Sequence, residues 1–273
     1  MSLSFAPADS DPAAIARRFV AARLAARATP DYPGPIPATM AESYAIQDVA
    51  IGLFPDRLIG WKVGGVAPAL QAKLGVHRLA GAIFAGNTRT ASGGDEVVPL
   101  PEIEGGFAAI EAEFIARIGA DVDPAKTDWT LEEAARAVDK IFVGVELAGS
   151  PLPTINDLGP TVVASDFGNN GGLIVGPELQ DWRDRLDSIE AETIINGVSV
   201  GVGSSSALQG GAIESVRFLL EHCARWGRPL KSGMLISTGA VTGVHRARAG
   251  DRAVCVFKGI AELNCSVVRA EAK

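Results

Sequence analysis

The sequence predicts an α+β protein in which a short N-terminal helical segment precedes a β-rich body. Three observations carry that reading. Residues 12–27 and 40–53 place apolar side chains at helical spacing on either side of a loop holding Pro30, Pro33, Pro35 and Pro37. From residue 58 onward the texture changes to short apolar runs broken by glycine. Asn196-Gly197, the strongest short hairpin signal, lies between Thr193-Ile194-Ile195 and Val198-Ser199-Val200. The boundary therefore falls so that 1–57 is the helical segment and 58–273 the β-rich domain.

Asp11-Pro12 starts the first helix with an N-cap and a proline at the first helical position, and Ile15, Phe19, Val20 and Leu24 share a face. Thr39-Met40-Ala41-Glu42 is a capping box that opens the second helix, with Ile46, Val49, Ala50 and Leu53 on one side and a stop before Pro55. Residues 58–63 read as a strand and 86–95 as a polar turn region. A second capping box, Thr130-Leu131-Glu132-Glu133, starts a short helix. Residues 140–147 and 172–175 read as strands. Residues 211–226 form a helix with Ile213, Val216, Leu220 and Cys223 in register and Gly227 closing it. Strands are expected at 234–238, 252–257 and 261–268.

Composition narrows the class. Hydrophobic residues at 47% and charged residues at 21% describe an ordinary globular chain, and 273 residues bury a sizeable core without disulfides. A net charge of -7 with no dense Lys/Arg cluster disfavours nucleic acid or an anionic membrane as partner. Cys223, Cys255 and Cys265 are odd in number and form no C-x-x-C, which suits a reducing cytoplasm. His77, His222 and His245 have no metal-ligand spacing. No apolar run approaches the ~20 residues of a membrane span. The N-terminus lacks a signal-peptide layout, and Asp9 and Asp11 argue against a transit peptide.

The most informative stretch is Ile110-Glu111-Ala112-Glu113-Phe114. On a strand, Glu111 and Glu113 project to one face, away from their apolar neighbours. Glu146 lies alone in the apolar run 141–147. Two bare charges about 4 Å apart repel by on the order of 4 kcal/mol at an effective dielectric of 20. Convergence of three carboxylates therefore demands protons or a divalent cation, and hard oxygen ligands favour magnesium, calcium or manganese. Residues 107–117 also carry enough Ala and Glu to read as a helix, on which i and i+2 do not face each other. The local sequence leaves both readings open.

Lys62 alternates with Trp61 and Val63 and is flanked on its own face by Gly60 and Gly64, which leaves room for a ligand; a lysine on a solvated strand face is the alternative. The run Asp166-Phe167-Gly168-Asn169-Asn170-Gly171-Gly172 is a polar, glycine-rich loop of the kind that builds sites and ordinary turns alike. Gly201-Val202-Gly203-Ser204-Ser205-Ser206 imitates a dinucleotide fingerprint, but the strand before it is a hairpin arm rather than a parallel strand feeding a helix. No G-x-S-x-G elbow or P-loop is present.

Taken in order, these segments resemble the 2-keto-4-pentenoate hydratase family of the fumarylacetoacetate hydrolase superfamily. The matching residues are Tyr44-Ala45-Ile46-Gln47, Gly60-Trp61-Lys62-Val63-Gly64, Glu111-Ala112-Glu113, Val145-Glu146, Ser165-Asp166 with Asn170 and Gly172, Asn196-Gly197, and Ser237-Thr238-Gly239. The resemblance spans residues 39–268. It implies a mixed, rolled β-rich sheet, a homo-oligomer in the cytoplasm, and one divalent cation, Mg²⁺ or Mn²⁺, on Glu111, Glu113 and Glu146. It also implies an active-site lysine at Lys62. The expected reaction is addition of water to a 2-hydroxy-2,4-dienoate, giving a 4-hydroxy-2-keto acid, in catabolism of aromatic compounds. The cation would hold the small keto or dienoic acid substrate and stabilise its enolate. Lys62 would hold the anion or move a proton, with a lowered pKa. Asp166 and Asn170 would position water or substrate, and Thr238 would bind the carboxylate. Family members usually carry acidic residues after a Gly-x-Leu-Phe-like run, whereas Gly81-Ala82-Ile83-Phe84-Ala85-Gly86-Asn87 holds none. A decarboxylase, a C–C hydrolase on the same metal site, and a non-catalytic keto-acid-binding homologue are the alternatives.

Overall fold

The computed structural model describes residues 11–273; expectations for the first ten residues lie outside them. Asp11 caps α1 (Pro12–Leu24) by accepting from Ala13 N at 3.0 Å. Thr39 caps α2 (Met40–Leu53) through Glu42 N at 3.2 Å, while Glu42 reaches back to Ala38 N rather than to the cap itself. The two helices pack on each other, and α2 packs on α5 (Pro160–Ser165), which α3 (Pro68–Leu74) and α4 (Leu131–Ala137) precede in the chain. Ile15 and Phe19 of α1 belong to the same continuous core as the sheets.

Two sheets follow. The first contains β1 (Leu58–Gly65), β2 (Arg78–Phe84), β3 (Thr88–Thr90), β5 (Phe107–Ile118), β6 (Val138–Ser150), β7 (Asn170–Glu178) and β10 (Leu235–Ser237) in the order β2-β1-β10-β5-β6-β7-β3, with β11 (His245–Arg246) also on β5. The second runs β4-β13-β12-β8-β9, built from β4 (Val97–Glu102), β8 (Ala191–Ile195), β9 (Val198–Gly203), β12 (Arg252–Phe257) and β13 (Ala261–Arg269). Both sheets mix parallel and antiparallel pairs. The first is rolled: β2 and β7, five places apart in its order, touch. The sheets pack face to face, with Phe114 edge-on to Phe257 at 5.8 Å. Two further helices, α6 (Trp182–Arg185) and α7 (Gly211–Arg225), complete the order.

Residues 107–117 are strand, not helix. β5 is central, and all its residues except Arg117 are buried, so tertiary pairing overrides the helix propensity of Ala and Glu. Asn196 and Gly197 take φ of 50° and 79°, the left-handed pair a tight hairpin requires, and β8 pairs antiparallel with β9 across them. The three cysteines are free and buried. No described helix is long and apolar enough to cross a membrane.

Candidate metal centre

Register brings the carboxylates together. Glu111 and Glu113 alternate on β5, and Glu146 of β6 stands directly opposite Glu111. Paired residues share a face, so all three point the same way. Their ligand atoms lie within 4.8 Å of one another. On the other side of β5, β10 inserts between it and β1, with Ser237 opposite Lys62. On a flat sheet β1 and β6 would lie about 14 Å apart, at the usual strand spacing. The roll closes that gap, and Lys62 Nζ sits 3.4 Å from Glu146 Oε2. Lys62 is 5% exposed, Glu111 4%, and Glu113 and Glu146 0%.

Two of the three buried carboxylates are held on one side and bare on the other. Glu113 Oε2 accepts from Ser237 Oγ at 2.5 Å and from Gly239 N at 2.9 Å, while its Oε1 has no hydrogen-bond partner. Glu146 Oε1 accepts from Asn170 Nδ2 at 2.9 Å, while its Oε2 has only the Lys62 charge and no aligned hydrogen bond. Orphaned buried carboxylate oxygens are costly unless paired or bound to an ion. Two of them converging beside a third carboxylate fit a divalent cation with oxygen ligands.

The electrostatics agree with the geometry. Burial pushes the Glu111 carboxyl up to about 7, against the pull of Lys62 and with Glu146 adding to the rise. Burial, then the charges of Glu146 and Glu111, hold Glu113 well above the usual carboxylate range. For Lys62, burial pulls downward, but Glu146, Glu111 and Glu113 together outweigh it and the ammonium is held above its ordinary range. Three facing carboxylates dominate while they hold no cation; the lowered lysine pKa expected from sequence concerns the cation-bound site. A cation must displace the protons held by Glu111 and Glu113. For the Glu111 proton, affinity is therefore expected to weaken by about tenfold per pH unit as pH falls below about 7, with the Glu113 proton adding to the loss. Mn²⁺ affinity that stays constant between about pH 5.5 and 7.5 would contradict this.

A cleft of about 600 Å³ opens above the cluster, lined by Lys62, Glu111 and Thr238, by the apolar Val66, Leu79 and Leu208, and by His77, Arg78 and Asp157. The space expected around Gly60 is filled. A Cβ there would lie 2.2 Å from Leu235 O, so the bare position serves the close approach of β10. Gly64 does line the cleft.

Two expected contacts come out differently. Thr238 is in the cleft wall, but its hydroxyl donates to Phe114 O at 2.9 Å. It offers the cleft only an acceptor, which suits a water or a substrate hydroxyl and not a carboxylate. Asp166 has both oxygens engaged, by Arg23 Nε at 2.6 Å, Arg23 Nη2 at 2.9 Å and Ser150 Oγ at 2.6 Å. It braces the loop and is not turned to substrate. Arg23 was not legible as a site residue, because α1 shows only an amphipathic pattern and the partner lies 143 residues away. The Tyr44-to-Gln47 motif is bracing of the same kind: Tyr44 Oη accepts from Ala80 N at 3.0 Å, and Gln47 Nε2 donates to Ala80 O and Ala164 O at 3.0 and 2.7 Å.

Gly81 faces Lys62 across the β1–β2 pair. A Cβ on Gly81 would meet Phe167 O at 2.1 Å and Gly168 Cα at 2.5 Å, both backbone atoms. Gly81→Ala is accordingly expected to destabilise the protein by about 1–3 kcal/mol and to displace the 167–169 turn. A thermal melt unchanged from wild type would show that the turn yields freely.

Comparison with known proteins gives the family and the fold. The family described as Fumarylacetoacetate (FAA) hydrolase C-terminal matches residues 65–268. The chain is 27% identical over 234 residues to the "TodF product hydratase" of Pseudomonas putida, covering 84% of each chain. It is 27% identical over 227 residues to a 2-keto-4-pentenoate hydratase of Paraburkholderia xenovorans, covering 80% of each. Among solved structures, 4-oxalocrotonate decarboxylase from Pseudomonas putida G7, complexed with magnesium and adipate, has the same fold: TM-score 0.78, 22% identity, 94% of this chain and 97% of that one. With its rolled mixed sheet and the match over residues 65–268, the chain belongs to the fumarylacetoacetate hydrolase family.

Proposed function

We propose that this chain is a divalent-metal-dependent hydratase that adds water to a 2-hydroxy-2,4-dienoate and yields a 4-hydroxy-2-keto acid. The observation that carries the reading is the pair of bare buried oxygens, Glu113 Oε1 and Glu146 Oε2, beside Glu111 and the Lys62 ammonium. Glu111, Glu113 and Glu146 would hold Mg²⁺ or Mn²⁺, which supplies Lewis-acid stabilisation of an enolate when bound. The names of the two hydratase relatives support hydration, and that of the 2-keto-4-pentenoate hydratase supports the substrate class.

The chain's own residues then divide the work. Lys62, whose Nζ lies 3.4 Å from Glu146 Oε2, would serve as a positive charge for the developing enolate or as a group that moves a proton to it. Ser237 and Gly239 N hold Glu113, and Asn170 holds Glu146, so neither carboxylate can rotate away. The apolar wall of Val66, Leu79 and Leu208 suits a short hydrocarbon tail. Asp157 and His77 are the cleft-lining groups able to accept a proton from the added water.

A decarboxylase is the second reading. It is favoured by 25% identity over 255 residues, 92% of this chain, to a 4-oxalocrotonate decarboxylase of a Pseudomonas species. One experiment separates the two. Freshly generated 2-hydroxypenta-2,4-dienoate and 4-oxalocrotonate are each supplied with Mg²⁺ or with EDTA, loss of dienol absorbance is followed, and products are identified by mass. A hydratase consumes the first with gain of one water; a decarboxylase consumes the second with loss of carbon dioxide. Turnover undiminished in EDTA removes the metal, and turnover of neither overturns both readings.

The homo-oligomer implied by the family resemblance has a surface to match. Val198, Val200 and Val202 are exposed together on the edge strand β9. Sedimentation at a single-chain mass would remove that part of the proposal.

A further inference from the structure

We infer that Arg23, on the N-terminal helix, is a positioning residue for the metal centre: it locks residues 166–170 so that Asn170 is held against Glu146. This rests on the reading of Glu111, Glu113 and Glu146 as metal ligands.

The lock is built entirely from buried groups. The Arg23 side chain is 7% exposed and that of Asp166 0%. Beyond the fork on the Asp166 carboxylate, Arg23 Nη1 donates to Asn170 O at 2.9 Å, and Nη2 donates to Gly149 O at 2.9 Å and Asp166 O at 3.3 Å. One guanidinium thus ties together both ends of the loop and β6. Its plane carbon lies 5.2 Å from the centre of the Phe167 ring, which packs on Phe54 and Phe84 at 5.5 and 4.9 Å.

The loop needs such a clamp. Phe167, Gly168 and Asn169 have successive φ of 52°, 63° and 65°. Asn takes that conformation readily, but a bulky side chain such as Phe167 persists there only when its surroundings over-determine it. The turn delivers two things to the centre. Asn170 Nδ2 reaches Glu146 Oε1, and Gly168 lies against Lys62, where an added Cβ would be 3.0 Å from Lys62 Cδ. Arg23 touches neither the carboxylate cluster nor the cleft lining, so it acts through the loop.

The test is a double-mutant cycle on Mn²⁺ affinity, read from the free-ion electron paramagnetic resonance signal in the full chain. Asn170→Ala removes a ligand's hydrogen-bond partner and is expected to weaken Mn²⁺ by about 10–100-fold. Arg23→Met is expected to weaken it by about tenfold through the same contact. If Arg23 works through Asn170, the double variant binds no more than about twofold weaker than Asn170→Ala alone. An Arg23→Met effect within about twofold of wild type, or one that adds in full to Asn170→Ala, overturns the inference. Circular dichroism and melting in EDTA check the fold. Should Arg23→Met fail to fold, Arg23→Lys enters the same cycle, since it keeps the charge and loses the fork. The two readings fail differently: wild-type protein that takes up no Mn²⁺ ends the metal reading, whereas wild-type binding matched by the Arg23 variants ends only the lock.

Discussion

Glu113→Gln is expected to weaken Mn²⁺ binding by roughly two orders of magnitude, because affinity at an oxygen-ligand site follows the number of charged ligands. The same substitution is expected to stabilise the metal-free protein. Glutamine can keep its carbonyl toward Ser237 Oγ and Gly239 N, where Glu113 Oε2 now sits, and place its NH₂ where Oε1 is bare. It removes a like charge within 4.8 Å of its neighbours, a repulsion on the order of 3 kcal/mol at an effective dielectric of 20. The gain depends on pH. The carboxyl is held well above its ordinary value in the folded chain, so folding favours its protonated form. The penalty of ionising it is absent below the ordinary carboxylate range and grows as pH rises through the elevated folded value. Melting in EDTA should therefore separate the two proteins at pH about 9 by a few degrees and bring them together near pH 4. A variant that melts lower at every pH would mean that the three carboxylates are not in conflict.

Lys62→Met is expected to lower kcat by about 10²–10⁴-fold, the usual contribution of a positioned proton donor. It should leave Mn²⁺ binding as tight as wild type or tighter. The ammonium now lies 3.4 Å from Glu146 Oε2 and competes with a cation for that bare oxygen. Removing it leaves the carboxylates with no internal counter-charge, so they seek the ion more strongly. Parallel turnover and Mn²⁺ titrations check both halves. Loss of Mn²⁺ affinity together with turnover would make Lys62 a support of the ligand set and not a participant in the chemistry.

How much of this was legible before coordinates differs from residue to residue. The helix caps at Asp11, Thr39 and Thr130 and the Asn196-Gly197 turn were legible because local chemistry decides them: side-chain oxygens that accept backbone N–H, and a left-handed pair. The Glu111–Glu113 pair was legible only as an alternative. Ala and Glu prefer helix, and pairing of β5 on both sides overrides that preference. The meeting of Glu146 with Glu111 depends on β5–β6 register, which follows from the buried faces of two strands and from no local motif. Pro99 and Pro101 obscure β4 in the sequence, because a proline cannot donate to a ladder; it stands as an edge strand paired on one side with β13. Arg23 was invisible for a different reason. Its partners come from β6, from the loop after α5 and from the first residue of β7, and nothing in α1 names them.

The most direct measurement is an anomalous difference map at the manganese edge from crystals of wild-type protein grown with Mn²⁺. One strong peak per chain is expected, enclosed by the side-chain oxygens of Glu111, Glu113 and Glu146 and facing Lys62. A map with no peak among those side chains, or with its only strong peak elsewhere on the molecule, would contradict a metal centre built from β5 and β6.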